Sequence, residues 1–502
     1  MNTDPRMPFS PEQRQLLRTA IRESLPNEAV ANTPPKTKHI LVPTSHRRAL
    51  DPDAMLVVGI RGAGKSFWWH TLLNKATCGF LGREYLRGQE LVVSAGFGRE
   101  SGDTLLNWPQ KETLEALLKE GRDPQRIWRS VLLEHLEPDG GSRQHGPAWT
   151  ERVKRLEDPA EFHQQLLKHN ESLKQKKQWY LLLFDALEHT AEHRDDCLKL
   201  IRGVLQLTLD LRWYSNIAAK AFVTPDMLVP REVSKFPDSA KVLANQVALH
   251  WGANDLYALL FQYLGNGENP EAAEYFRSLT SENWNQRQVG DEVFFELPLA
   301  LKNDTAAQEK LLRCLADPYL GPGPRNGRTY QQLVSQLADA HGIVSPRIFL
   351  TAIRRAADEN DYAATDWYPL HHKHLLGGIR LASQGRIYEL LNDYRLSDRA
   401  DSTVPSPDGK DVHDAMICLQ GLEVPCGKEA ILERWKNKNL RLSEYRIGGR
   451  TPTEEDYQEL LRLCEQLGVV EQLPDGQFNV PNVYLVAFGL RRKGLFRHPP
   501  GR

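Results

Sequence analysis

Residues 59 to 66 read Gly-Ile-Arg-Gly-Ala-Gly-Lys-Ser, and they stand between the apolar run Ala54–Val58 and the helix-forming stretch Ser66–Leu73. The spacing Gly-x-x-x-x-Gly-Lys-Ser is that of a phosphate-cradling loop, and strand–loop–helix is the context it needs. Glycines at 59, 62 and 64 let the backbone curl until its N–H groups point inward at phosphate oxygens. The helix that follows adds the positive end of its dipole. Lys65 is placed to meet the β- and γ-phosphates, and the Ser66 hydroxyl to ligate Mg²⁺. Gly59, Ile60, Arg61, Gly62, Ala63, Gly64, Lys65, Ser66 and Phe67 are therefore the expected triphosphate-binding residues.

A loop of this kind belongs to a parallel sheet with crossover helices, and the neighbouring sequence supplies one. Short apolar runs at Glu90–Ala95, Trp179–Phe184 and Ile217–Val223 alternate with helical segments at Asp123–Leu136, Glu161–Gln175 and Asp195–Leu211. Such short, strongly apolar runs are what strands covered on both faces require. A triphosphate site also needs a carboxylate at the end of a neighbouring strand to hold the magnesium shell. The run Trp179–Phe184 ends in Asp185, the expected magnesium residue; its other reading is a helix N-cap. Glu188 is either a general base for an attacking water or a solvated loop acid.

With 502 residues the chain exceeds one ordinary core, so the rest must divide further. Residues 1–50 read as an N-terminal arm with an amphipathic helix over Pro11–Leu25, and 51–304 as the α/β core. Residues 305–396 read as a helical lid with connecting helices at Ala306–Leu315, Thr329–His341, Pro346–Asp358 and His374–Tyr394. Polar, Pro-containing 397–411 reads as a linker. In 412–502, helices at Lys428–Trp435 and Thr453–Leu467 precede two strand-like runs, Val469–Leu473 and Phe478–Val486, turned by Pro474-Asp475-Gly476. That order predicts a winged-helix-like domain. Its helix Thr453–Leu467 carries Glu454, Glu455, Asp456, Glu459 and Glu465 against Arg462, a face that phosphate repels. Basic residues flank it: Arg434, Lys436, Lys438, Arg441, Arg446 and Arg450 before, then Arg491, Arg492, Lys493, Arg497 and Arg502. The balance favours protein contacts and leaves nucleic acid open.

A net charge of −1 gives no global field toward nucleic acid or membrane. The six scattered cysteines include no C-x-x-C pair, which fits reduced thiols in the cytosol. No apolar run approaches the roughly 20 residues that span a bilayer. His371-His372-Lys373-His374 has no second ligand cluster beside it in sequence and reads as a solvated or packed basic turn. Trp68-Trp69 read as core against the sheet.

The loop, followed by Asp185-Ala-Leu-Glu-His189 after an apolar strand, resembles the AAA+/STAND-like group of bacterial P-loop ATPases. Phe222-Val-Thr-Pro-Asp226 resembles the strand end where those proteins sense the γ-phosphate. Asp238-Ser-Ala-Lys241, Leu249-His-Trp251 and Asp255-Leu256 resemble the segment after it. Ser345-Pro346-Arg347 resembles the lid arginine called sensor 2, which pairs with the γ-phosphate. The likeness spans roughly residues 50 to 395 and implies an ATP- and Mg²⁺-dependent switch ATPase. Lys65, Asp185, Glu188 and Arg347 would be its catalytic residues, and Ser66 and Asp185 its metal ligands. Such proteins act in oligomers or on protein partners, with antiphage defence among their roles. Glu188 and His189 depart from the usual Asp and Glu or Arg, which implies slow or partner-dependent turnover. Arg212 and Arg231 read as surface residues rather than arginine fingers. The alternatives are a DNA-stimulated motor or loader and an ATP-dependent scaffold with little turnover; the long helical region after 305 speaks against a small-molecule kinase.

Overall fold

The computed structural model describes residues 9–27, 35–85, 90–98, 107–137, 148–156, 159–228, 233, 236–358, 367–393, 407–443, 447 and 449–493. Five strands, β1 (Leu56–Val58), β2 (Glu90–Phe97), β3 (Gln178–Phe184), β4 (Ile217–Val223) and β5 (Val247–Ala248), form one parallel sheet in the order β2-β3-β4-β1-β5. The helices that matter most below are α1 (Pro11–Ser24), α2 (Lys65–Leu73), α3 (Ala253–Gly265), α4 (Pro346–Asp358) and α5 (His372–Asp393). This is a five-stranded parallel α/β sheet, with the glycine loop leaving β1 and a helical unit beside it. The apolar runs read from sequence become β1 to β4, and all of β1 and nearly all of β3 and β4 are buried, as helices on both faces demand.

Register decides what meets at the C-terminal edge. Val58 pairs with Val223 and Phe184 with Ala221, so the residues leaving β1, β4 and β3 emerge side by side. Lys220 of β4 is fully buried and donates to the carbonyls of Ala49, Asp51 and Ala54 at 2.6, 2.7 and 2.8 Å. Three carbonyls on one ammonium tie the approach to β1 onto the sheet and satisfy groups that burial would otherwise orphan.

Among the described residues the apolar interior falls into two clusters. One surrounds the sheet; the other joins α1, α3, α4 and α5 with the C-terminal residues up to Leu490. Of the described residues among the first fifty, Leu17, Ile21, Leu41 and Leu50 are buried in these clusters. Helix α1 opens with a Ser10–Gln13 capping box and Pro11, and buries Leu17 and Ile21 in the helical cluster. The hairpin Asn285–Val289/Glu292–Glu296, turned at Gly290, has no counterpart in the sequence reading.

The C-terminal region differs from its expected strands. Glu471–Gln472 and Phe478–Asn479 pair antiparallel, but Asn482–Phe488 is a helix with Pro481 at its N-cap, not the continuation of a strand. Of the stretch read as a linker, residues 397–406 lie outside the described residues, and 407–411 open the helix Pro407–Cys418. The loop 138–147 and the residues Arg231, Arg446, Arg497 and Arg502 also lie outside them.

Candidate functional site

The phosphate loop is built as its glycines require. Gly62 and Gly64 hold φ of +75° and +102°, a region that side chains disfavour, and Gly64 is the left-handed residue from which α2 starts. Its frame is fixed from outside. Gly59 N donates to Val223 O at 3.1 Å, Leu249 N to Val58 O at 2.7 Å, and the Trp251 indole to Ala63 O at 2.8 Å. Lys65 Nζ reaches back and donates to the carbonyls of Gly59 and Ile60 at 2.7 and 3.2 Å, so its charge is held against the loop.

Asp185 follows β3 and turns to the loop. Ser66 Oγ donates to Asp185 Oδ2 at 2.7 Å, although 119 positions separate them. The carboxyl is 4% exposed. Burial pushes it up to about 6, Glu188 adds to the rise, and the Ser66 hydrogen bond and Lys65 offset only part of it. A hydroxyl and a carboxylate at this separation, with a buried negative charge short of compensation, are a hard oxygen donor set that fits Mg²⁺.

Ala186 next adopts φ +54°, a left-handed conformation uncommon for a residue with a Cβ. This sharp turn and the short 3-10 segment Leu187–His189 bring Glu188 to the cleft instead of continuing away from the sheet. Burial pushes Glu188 up, but His189, Arg61, its backbone hydrogen bond and Lys65 together outweigh it and hold the acid below its ordinary value. It is therefore ionised at neutral pH, the state a proton acceptor needs. His189 Nε2 lies 3.9 Å from Glu188 Oε1.

Thr224 leaves β4 between the ends of β1 and β3, buried and lining the cleft. Arg347 stands in the first turn of α4, whose start is capped by Ser345. This turn touches the loop so closely that a Cβ on Gly62 would lie 2.9 Å from both Arg347 Cβ and Ser345 Oγ. Lys65, Ser66, Asp185, Glu188 and Arg347 thus line one cleft of about 1000 Å³. Arg61 and Phe67 also line it. Arg212 is exposed in the turn before β4, at the opposite end of the sheet.

Other residues of the cleft had no role of their own in the sequence reading, Asp226 entering it only as the end of the Phe222–Asp226 run. Asp226 sits where burial and Glu188 push it above the ordinary carboxylate range, and Arg61 faces both acids. The cleft is also lined by His39, Leu41, Trp251, Leu259, Tyr263, Leu350 and Arg354. His39 and Tyr263 stack there with ring centres 4.5 Å apart and planes at 18°. Burial, with Lys38 alongside, pushes His39 down to about 4, so its ring is neutral. Apart from Trp251, which belongs to the Leu249-His-Trp251 run just before α3, these residues come from the Pro/Thr/Lys-rich N-terminal stretch and from α3 and α4, and no local motif marks them.

No family model and no curated protein matches the sequence. Among solved structures, the chain is similar to a Walker-type ATPase of Pyrococcus abyssi at 13% identity, over 88% of this chain and 94% of that one, with a TM-score of 0.38. It is also similar to the ORC2 protein of Aeropyrum pernix at 11% identity, over 86% of each chain, with a TM-score of 0.39. The Cdc6p of Pyrobaculum aerophilum matches at 12% identity, over 92% of this chain and 97% of that one, with a TM-score of 0.30.

Proposed function

We propose that the cleft binds Mg·ATP and that the protein is a switch ATPase working in an assembly. One observation carries this reading: Lys65, Ser66, Asp185, Glu188, Thr224 and Arg347, from separate stretches of chain, line a single cleft around the glycine loop. Its size suits a whole nucleotide. The loop and the start of α2 take the phosphates. The apolar and aromatic lining, with the neutral His39–Tyr263 stack, takes the base.

Bound magnesium would neutralise phosphate charge at Ser66 and Asp185. Glu188 accepts a proton from a water as the water oxygen bonds to the γ-phosphorus. The bond to the β–γ bridging oxygen breaks, leaving ADP and inorganic phosphate. Arg347 and Lys65 stabilise charge on the departing group. Because the first turn of α4 rests on Gly62, a change at the γ-phosphate is passed directly to the helical unit. A regulatory role in assemblies, antiphage defence included, rests on the motif resemblance.

Four of the basic C-terminal residues that the DNA-motor reading would use already have partners. Arg450 forks onto Asp456, Lys436 pairs with Glu454, Arg434 binds the carbonyls of Cys418 and Gln420, and Arg492 binds Asn479 and Asn482. Those charges already serve the local fold.

The test is turnover and mass measured with and without nucleotide, for the wild type and Glu188→Gln. Wild type should hydrolyse ATP and change its mass with nucleotide. Glu188→Gln should bind Mg·ATP as well but turn over at least ~100-fold more slowly. Equal turnover in both would remove Glu188 as the base. Binding without any turnover in the wild type would leave the scaffold reading instead.

A further inference from the structure

The histidine run that looked like a solvated turn acquires a carboxylate in three dimensions. Asp317 follows the helix Thr305–Leu315, and the chain around it runs beside the residues that enter α5: Leu370 N donates to Leu315 O at 2.8 Å and Asp317 N to Leu370 O at 3.2 Å. This pairing sets Asp317 against His371 and His372. His372 Nδ1 lies 2.8 Å from Asp317 Oδ2, His371 Nε2 lies 3.7 Å from the same oxygen, and the two imidazole centres are 4.1 Å apart. Among the described residues this is the one group of three metal-ligating atoms that all lie within 4.8 Å of one another.

We propose that Asp317, His371 and His372 form a site for a divalent transition-metal ion of the zinc type, distinct from the nucleotide cleft. Donors about 2.0–2.1 Å from a tetrahedral zinc lie about 3.3 Å from each other. The two distances from Asp317 Oδ2 bracket that value, so small side-chain rotations close the set. Two imidazoles and one carboxylate suit zinc and its neighbours rather than calcium or magnesium, which take oxygen shells. The three side chains are 14 to 20% exposed, which leaves room for a water as fourth ligand and a path for the ion. In the metal-free protein the Asp317–His372 contact is a hydrogen bond; with the ion bound the neutral His372 ring carries its proton on Nε2, so that Nδ1 can ligate. Asp317 keeps its second task, accepting from His372 N at 2.8 Å at the start of α5. The ion would thereby bind the end of Thr305–Leu315 to α5, a clamp on the helical unit that presses on the phosphate loop.

The experiment titrates the full reduced chain with Zn²⁺ alone, following stoichiometry by equilibrium dialysis and stability by thermal unfolding. The expected result is one tight zinc per chain and a raised unfolding midpoint. In the double variant His371→Ala/His372→Ala the affinity should fall at least ~100-fold, more than the loss of a mere supporting partner brings. Asp317→Asn, which keeps an oxygen for the His372 N–H, should show the same loss if the double variant fails to fold. His413→Ala, which breaks a separate His413–Asp414 pair at 3.3 Å, should bind zinc as wild type does. Co²⁺ in place of zinc should show nitrogen and oxygen ligation without thiolate charge transfer. Unchanged zinc binding in Asp317→Asn and the double variant, or thiolate bands with cobalt, would overturn the assignment.

Discussion

Replacing Asp185 with Asn should make the nucleotide-free protein more stable while removing its response to Mg·ATP. Asp185 is 4% exposed, accepts one hydrogen bond from Ser66, and has a pKa raised from 3.8 to about 6, chiefly by burial. A shift of roughly two units corresponds to about 3 kcal/mol against the ionised form. Since the folded-state value lies above the unfolded one, folding penalises the charged carboxylate. The penalty is full above pH ~6, shrinks as pH falls, and is gone below the ordinary carboxylate value near ~4. Asn keeps an oxygen for the Ser66 hydroxyl and removes the charge. In urea unfolding without nucleotide, Asp185→Asn should gain up to about 3 kcal/mol at pH 7.5 and about half of that at pH 5. With Mg·ATP the wild type should be stabilised strongly and the variant little, because the magnesium donor is lost. The reasoning is refuted if the variant is no more stable at pH 7.5, or if its gain is the same at both pH values.

Gly62→Ala places a Cβ at φ +75° and 2.9 Å from Arg347 Cβ and Ser345 Oγ, so the first turn of α4 must lift from the loop. ATP affinity by calorimetry should fall at least ~10-fold while the protein remains folded with a cost of about 1–3 kcal/mol; unchanged affinity would show that loop and lid are not coupled there. Lys220→Met strips the donor from three buried or half-buried carbonyls. Urea unfolding should show a loss of roughly 2–4 kcal/mol, and a loss below about 1 would mean water satisfies them.

Much of the sheet could be read from sequence because its signals are local. The runs that became β3 and β4 are short, strongly apolar but for Lys220, and bounded by turns, and Gly59–Ser66 is a contiguous motif. Strand β5 is two residues long, too short for any periodicity to show. The run Phe478–Val486 read as strand because its residues are apolar, yet Pro481 interrupts the ladder and starts a helix. The Ser66–Asp185 pair was legible since both ends carry their own signature. His39 against Tyr263, and Asp317 against His372 across 55 positions, are products of tertiary packing alone. The docking of α1 was hidden for a similar reason: its apolar stripe announced a buried face, but nothing local named the partner.

The central claim is that the loop at Gly59–Ser66 holds a triphosphate through Lys65. Isothermal calorimetry of Mg·ATP against the wild type and Lys65→Ala tests it most directly, with circular dichroism to confirm that both are folded. The account predicts saturable binding near one nucleotide per chain in the wild type and no measurable binding in the variant. Mg·ATP binding of equal affinity in the two proteins would contradict it.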